Sequence, residues 1–120
     1  MTVLSFSLPV PPSSNRYWRI VGAKGRTFLA RSKEAMAWLA IAKLLAQKQG
    51  ATVLTGDLRV TVTWYRARKS GDVDNRAKVL LDALQGICYA NDGQVKTFTI
   101  TREDTDRGHP RLDVVVQPAG

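Results

Sequence analysis

The sequence predicts a mixed α/β domain, in which two main helices pack on a small mixed sheet of about four or five strands. Three observations predict this fold. A length of 120 residues, with 44% hydrophobic and 23% charged residues, fits one modest core and a single domain over residues 1–120. Several short segments alternate apolar and polar residues, as strands do, and two longer segments have the apolar spacing of helices.

The first third of the chain predicts one strand and a basic segment. Residues 3–8 (VLSFSL) alternate in the manner of a short strand, and the prolines that follow favour an extended turn. Residues 16–33 carry six basic side chains and no acidic one. Gly22 and Gly25 predict a flexible loop there, with a further short strand over Arg26 to Ala30.

The first helix is predicted from Ser32 to about Gln49. Ser32 is a suitable N-cap, Glu34 suits the positive end of the helix dipole, and Gly50 is a natural stop. Most residues between them are strong helix formers. The apolar positions are Met36, Leu39, Ile41, Leu44 and Leu45. Trp38 in this helix and Trp64 in the following strand are expected in the core.

The second half predicts three strands and one helix. Leu58 to Tyr65 (LRVTVTWY) is the clearest strand, and Gln94 to Thr101 and Leu112 to Val116 follow the same alternation. A helix is expected from roughly Val73 to Ile87, and NDG at 91–93 predicts a turn. On a helical wheel one apolar face of that helix contains Val73, Ala77, Leu80, Leu84 and Ile87.

The charge predicts a polyanionic partner. The 18 lysines and arginines exceed the 10 acidic residues by 8, which favours nucleic acid first and an anionic membrane surface second. A single cysteine (Cys88) and a single histidine (His109) exclude an intrachain disulfide and a Cys/His zinc site. The N-terminal segment has neither a basic leader nor an unbroken apolar run, so we expect a soluble intracellular protein without a membrane span.

The scarce acidic residues gather near the second helix. Asp72 and Asp74 lie two apart, and Asp74, Lys78 and Asp82 follow at helical spacing along one flank. The chain reverses after this helix, so Asp92 could return near Asp72 and Asp74. Three converging carboxylates would repel one another, and this would either raise their own pKa values or require a cation. An all-oxygen site of this kind suits Mg²⁺ or Mn²⁺. Lys78 could stabilise charge on a phosphate.

A plainer interpretation of the same residues stays open. Asp72 could cap the helix, and Asp74 could interact with its dipole. Asp92 before Gly93 is ordinary turn chemistry. Asp74, Lys78 and Asp82 could form a solvated ladder of ion pairs. Spacing alone favours this interpretation, since short D-x-D matches are common.

Three segments in this order resemble the RusA-type Holliday-junction resolvases of bacteria and their phages. LPVPPSSNRYWR is similar to the family's strand, proline-rich turn and Asn-Arg-Tyr element. GDVDNRAKVLLDAL is similar to its D-x-D-N-x-x-K-x-x-x-D-A-L helix, and YANDGQV to its later acidic turn. The resemblance covers nearly the whole chain and shows no departure at the acidic residues or the lysine.

The resemblance implies a homodimeric crossover junction endodeoxyribonuclease of the bacterial cytoplasm, encoded by a host or a phage. It places metal-binding, catalytic aspartates at Asp72, Asp74 and Asp92, and a catalytic lysine at Lys78. It implies Mg²⁺ as cofactor, with Mn²⁺ able to substitute, and no small-molecule cofactor. The enzyme would nick a four-way DNA junction symmetrically and leave ligatable ends. The expected DNA-binding residues are Asn15, Arg16, Arg19, Lys24, Arg26, Arg31, Lys33, Arg66, Arg68, Lys69 and Arg76.

Two rival functions remain at this point. In a non-catalytic DNA-binding module the basic residues would bind and the aspartates would only cap and turn. A peripheral membrane protein would need a basic amphipathic helix, which the first helix does not offer. Tyr17 and Trp18 could either stack on unpaired bases or lie in the core. Cys88 is expected to be buried and His109 to lie in a loop, neither with a catalytic role.

Overall fold

A computed structural model describes residues 2–65, 73–103 and 108–119, without the side chains of residues 23 and 73–76. The expected mixed α/β class is confirmed. In chain order the elements are β1 (Leu4–Leu8), α1 (Ser14–Tyr17), β2 (Trp18–Ala23), β3 (Arg26–Arg31), α2 (Lys33–Lys48), β4 (Leu58–Tyr65), α3 (Val73–Leu84), a 3-10 helix (Asp92–Gln94), β5 (Val95–Glu103) and β6 (Arg111–Pro118).

A four-stranded sheet in the order β1-β6-β4-β5 carries the core. Strand β4 lies at its centre, and alternate residues of this strand face inward. Leu58, Val60, Val62 and Trp64 are each at most 3% exposed. The alternation of residues in the β4 sequence therefore matches its alternating burial, as expected for a strand with one face on the core.

Strands β4 and β5 are parallel, and α3 connects them. The other pairs in this sheet, β1 with β6 and β4 with β6, are antiparallel. Because parallel strands need a crossover, α3 must lead from the Tyr65 end of β4 back towards the end where Leu58 pairs with Val95. The beginning of α3 and the beginning of β5 consequently lie at opposite ends of the sheet.

Helix α2 packs on the sheet mainly through small side chains and Trp38. The ends agree with the prediction: Ser32 Oγ accepts a hydrogen bond from Ala35 N at 3.0 Å, and Gly50 adopts a φ of 96° just beyond the helix. The large apolar residues Met36, Ile41 and Leu44, however, are 54–55% exposed. Small side chains allow the closest approach of a helix, and the buried positions are Ala35, Trp38, Ala42 and Ala46.

Helix α3 ends earlier than predicted. It stops at Leu84, and Gly86 follows with a φ of 89°, which ends helices readily. Ile87 is still buried, at 4% exposure, but it belongs to the turn that follows. Leu80 and Leu84 are buried as the apolar face required, while Val79 and Ala83 are buried as well.

Residues 18–31 form an antiparallel hairpin of β2 and β3 where a flexible loop with one short strand was expected. The turn residues Lys24 and Gly25 have φ angles of 53° and 77°. Positive φ at both central residues is typical of a two-residue hairpin turn of type I′, whose backbone twist matches that of the flanking strands. Gly22 lies within β2 and pairs with Thr27.

The remaining expectations for individual residues agree with the structure. Trp38 and Trp64 are buried, and His109 lies exposed outside the strands. Cys88 is fully buried, and its burial raises the pKa of the thiol to about 12. Over the described ranges, no helix has the length and apolar character needed to cross a membrane.

Candidate functional site

In the sequence, the candidate acidic residues lie before, within and after α3. Asp72, together with Arg66, Arg68 and Lys69, lies outside the described residues. Asp74 is in the first turn of α3, but its side chain and that of Arg76 also lie outside them. Lys78, Asp82 and Asp92 are described in full. The predicted catalytic set therefore stays a prediction, of which the structure describes one carboxylate and the lysine.

A tightly bonded turn holds Asp92. Asn91 Oδ1 accepts from Gly93 N at 2.8 Å, and Gln94 Oε1 accepts from Asn91 N at 3.1 Å. Gln94 Nε2 then donates to the carbonyl oxygens of Leu54 and Gly56, at 3.0 and 2.9 Å. These bonds fix the backbone at Asp92 relative to the start of β4. The Asp92 side chain itself is exposed.

Asp92 lies near the end of α3 and not near its beginning. Its backbone N donates to Gln85 Oε1 at 3.3 Å, one residue beyond the helix. Asp74 precedes Gln85 by 11 residues, and a helix rises about 1.5 Å per residue, so the two backbones are roughly 16 Å apart along the axis. The expectation that the chain reversal returns Asp92 towards the start of the helix is thus not met within one subunit. The reason is that β4 and β5 are parallel, so α3 runs the length of the sheet between them and separates its own beginning from the turn that contains Asp92.

The Asp92 carboxylate is available to a cation. Among the described residues no lysine, arginine or backbone N–H binds it, and no group of three or more His, Cys, Asp or Glu side chains is placed to hold a metal ion. An exposed carboxylate on a rigid turn is a donor of the kind that Mg²⁺ and Mn²⁺ use, with water and phosphate oxygens completing the shell. The donor chemistry therefore fits the implied metal, and further donors would have to come from elsewhere.

Asp82 has a different environment from Asp92. Its carboxylate accepts hydrogen bonds from Arg31 Nε and Nη2 at 2.8 and 2.9 Å, and from the Tyr17 hydroxyl at 2.5 Å. Tyr17 is fully buried, and its burial, followed by the bond to Asp82, raises the pKa of the phenol. The bond to Asp82 also raises the pKa of Arg31. Asp82 thus joins α1 and β3 to α3.

Lys78 lies one turn before Asp82 on the same helix, and its side chain is exposed. Its Nζ is 5.4 Å from the centroid of the Trp18 ring, a cation–π distance. The Trp18 ring packs edge-on against Tyr17, with centroids 4.8 Å apart. Tyr17 is thus a core residue, whereas Trp18 is half-buried beside the candidate catalytic lysine.

The expected DNA-binding residues of the first third lie on α1, on the hairpin and at the start of α2. Two of them are already paired. Arg16 forms an exposed ion pair with Glu34 at 2.7 Å, and Arg31 is held by Asp82. The others are exposed and form no ion pair with a described residue: Asn15, Arg19, Lys24, Arg26 and Lys33.

Two features of this region were not found from the sequence. The first is the Tyr17–Asp82–Arg31 network, because its members are up to 65 residues apart and nothing local indicates their contact. The second is the hairpin. Its signal was present, since Lys24-Gly25 separates two runs of strand-forming residues by the two positions that a tight turn requires.

Comparison with known proteins identifies a family and several relatives of this chain. A family described as Endodeoxyribonuclease RusA matches residues 9–117. Proteins named crossover junction endodeoxyribonuclease RusA from Escherichia coli strain K12 and from Escherichia coli O1:K1 / APEC are each 28% identical over 123 residues, covering 100% of this chain and 98% of theirs. A cyclodiphosphate synthase structure from Plasmodium vivax, with 10% identity and 96% and 95% coverage, gives a TM-score of 0.33, too low to relate the folds.

Proposed function

Since the chain belongs to the RusA family of endodeoxyribonucleases, we propose that it resolves four-way DNA junctions as a homodimer, with one Mg²⁺-dependent nick from each active site. Asp72, Asp74 and Asp92 are the proposed metal ligands, and Lys78 is the proposed catalytic lysine. Mn²⁺ is expected to substitute for Mg²⁺, since it accepts the same oxygen donors. The paired nicks would leave ends that a ligase can seal.

The observation that carries this proposal is the difference in environment between the carboxylates of Asp82 and Asp92. Asp82 is fully engaged by Arg31 and Tyr17, whereas Asp92 is exposed and bound by no described cation. A metal site needs carboxylates that are free of protein cations, so Asp92 fits the role of ligand and Asp82 does not. This division agrees with the three aspartates named above.

The separation of Asp92 from the start of α3 supports a composite site. Within one subunit, the backbone of Asp74 is roughly 16 Å along the α3 axis from Gln85, whose side chain accepts a hydrogen bond from Asp92 N. Carboxylates cannot share an ion over such a distance. We therefore propose that Asp92 of one subunit completes the site begun by Asp72 and Asp74 of a second copy. A two-fold dimer would contain two such sites, one for each strand of a symmetric junction.

The chain's own groups have distinct tasks in this proposal. A bound divalent ion would supply charge neutralisation at the phosphate and a nucleophilic water at neutral pH. The aspartates hold and orient that ion. Lys78, with its ammonium group near the face of Trp18, adds positive charge beside the scissile phosphate and a proton for the leaving oxygen. The exposed cations of the hairpin and of the start of α2 contact flanking phosphates and position the DNA without reading its sequence.

The proposal is tested by separating cutting from binding. Asp92→Asn and Asp74→Asn are expected to abolish cleavage of a synthetic four-way junction in Mg²⁺, with junction affinity unchanged or increased because negative charge is removed. Asp57→Asn is the matched control, because Asp57 is an exposed carboxylate that already has a cation partner, Lys96 Nζ at 4.0 Å. Its cleavage should equal that of the wild type. An intact junction after incubation with wild-type protein and Mg²⁺ would refute the proposal.

The rival function, a non-catalytic DNA-binding module, makes the opposite prediction for the same variants. In that case neither the wild type nor any aspartate variant would cut, and binding alone would respond to salt and to loss of the basic residues. The exposed carboxylate at Asp92 would then have only its role in the turn.

A further inference from the structure

The β2–β3 hairpin projects from the body of the protein. Its strands pair only with each other, in a two-stranded sheet separate from the four-stranded one. Among its described side chains between residues 19 and 29, all but the half-buried Val21 are exposed. The hairpin therefore presents both of its faces to the surroundings, as a ribbon and not as an edge of the main sheet.

Large apolar side chains occupy both faces of this ribbon. Ile20 lies directly across from Leu29, and Val21 directly across from Phe28. Directly opposed residues share a face, and consecutive residues alternate between faces. Ile20 and Leu29 are 76% and 51% exposed on one face, and Phe28 is 53% exposed on the other. A ribbon that is apolar on both sides fits a space between two apolar planes better than one flat surface.

Positive charge surrounds these apolar residues. Arg19, Lys24 and Arg26 are exposed and form no ion pair with a described residue, and the sequence has no acidic residue from 18 to 31. Two such hairpins would repel each other, which disfavours a second copy of the chain as the occupant. A polyanion with exposed apolar planes is the complementary partner, and branched DNA has both features.

On the basis of the function proposed above, we propose that the hairpin inserts at the branch point of the junction. Ile20 and Leu29 would contact the base pair that ends one arm, and Phe28 the base pair that ends the neighbouring arm. Apolar side chains used in this way unstack base steps and open the DNA. Arg19, Lys24 and Arg26 would contact the phosphates on either side. A continuous duplex has no such opening, so this contact would favour junctions over duplexes.

The base of the hairpin is held firmly enough for this task. Arg31, the last residue of β3, is bound by Asp82 through two hydrogen bonds, and Tyr17, just before β2, is bound by the same carboxylate. Ser32 N also donates to Tyr17 O at 2.8 Å. The free tip is thereby fixed in position relative to α3, which carries Lys78. Insertion at the branch point would set the distance from that point to the strand that is cut.

The test compares exposed apolar residues on the hairpin with equally exposed ones elsewhere. Ile20→Ser/Leu29→Ser and Phe28→Ser alter the two hairpin faces. Ile41→Ser/Leu44→Ser is the matched control on α2, where both residues are 55% exposed. Each protein is added to a four-way junction that carries 2-aminopurine beside the branch point, and fluorescence, junction affinity and duplex affinity are measured. Circular dichroism checks the fold.

The wild type and the control are expected to raise the 2-aminopurine fluorescence, because the base becomes unstacked. The hairpin variants should lose most of this increase and bind the junction about tenfold more weakly, with duplex affinity changed less than about twofold. Their salt dependence should stay that of the wild type, since no phosphate contact is removed.

Two results would overturn the inference. One is hairpin variants that keep the fluorescence increase and the preference for junctions. The other is hairpin variants that become monomeric by light scattering while the control remains a dimer, which would make the hairpin an interface between copies. Failure of the proposed function is a separate result. A wild type that binds junctions with the hairpin-dependent signal but never cuts would refute the nuclease and leave the insertion standing.

Discussion

The carboxylate of Asp82 on α3 accepts two hydrogen bonds from the guanidinium of Arg31 at the end of β3, at 2.8 and 2.9 Å. This pairing joins the basic hairpin to the helix that carries Lys78. A planar bidentate pair fixes orientation as well as distance. Asp82 therefore positions the hairpin, whereas the exposed carboxylate of Asp92 is bound by no described cation.

Replacement of Asp82 should lower stability without removing metal binding. Asp82→Ala leaves the buried Tyr17 hydroxyl and the Arg31 charge without their partner, which should cost about 2–4 kcal/mol in the free energy of unfolding. Asp82→Asn keeps one acceptor oxygen, so its free energy of unfolding should fall less than that of Asp82→Ala. Urea unfolding measures the effect, with Asp57→Ala as the control. Equal stability of Asp82→Ala and the control would contradict this account, as would loss of Mn²⁺ binding in a folded variant.

Alkaline pH should destabilise the protein, because its buried phenol and thiol groups hold their protons more tightly in the folded state than in the unfolded state. Burial raises the pKa of Tyr17 and Tyr89 above the ordinary 10.0, and that of Cys88 from 9.0 to about 12. The unfolded chain then loses these protons at lower pH than the folded one. Their stabilising contribution is complete below about pH 9 and declines as the pH rises towards the folded values.

Tyr17→Phe measures the part of this loss of stability at alkaline pH that comes from the Tyr17 phenol. The variant should be less stable than the wild type at pH 8, because the hydrogen bond to Asp82 is lost. The difference should narrow between about pH 10 and pH 11, since only the wild type has the phenol to titrate. Urea unfolding at stepped pH values measures both curves. Curves that remain parallel through this range would count against the role given to Tyr17.

Lys78→Ala should separate catalysis from binding. We expect cleavage to fall by roughly 100-fold or more and junction affinity to stay within about twofold, because a group that acts on the transition state contributes little to ground-state binding. Trp18→Leu, which removes the ring 5.4 Å from Lys78 Nζ, should lower cleavage less. Single-turnover cleavage and filter binding provide the two measurements. Equal losses of cutting and binding would make Lys78 a simple phosphate contact.

Salt dependence distinguishes free cations from paired ones. Arg26→Ala should reduce the slope of log affinity against log salt by about one, as expected for one lost phosphate contact. Arg31→Ala should change the slope less, because its guanidinium is bound by Asp82, although it should lower stability. The measurement is junction affinity over a range of salt concentrations. The assignment of Arg31 to Asp82 would be contradicted if the two variants gave the same slope and the same stability.

Local signals predicted local structure well. Ser32 caps α2 as its side chain suggested, and the alternation in Leu58 to Tyr65 gave both bounds of β4. Each of these depends on neighbouring residues alone. The sequence Asn-Asp-Gly at 91–93 likewise predicted the turn that contains Asp92.

The relations between distant segments were not predictable in this way. The parallel pairing of β4 with β5 decides which end of the sheet holds Asp92, and no local pattern specifies it. In α2, Ile41 is exposed and Ala42 is buried, which residue type alone does not predict. The packed face of the helix is determined by how closely its side chains fit against the sheet. The partners of Asp82 lie 51 and 65 residues away in sequence.

The central claim is that Asp92 and Asp74 act in one metal site contributed by two subunits, and mixing two inactive variants tests it most directly. Asp74→Asn and Asp92→Asn are each expected to be inactive. In a mixed dimer with composite sites, one site contains both substitutions and the other contains none. After subunit exchange, nicking of a four-way junction in Mg²⁺ should return to roughly a quarter of the wild-type level, since about half of the dimers are mixed and each has one intact site. A mixture with demonstrated exchange that remains inactive would contradict the claim.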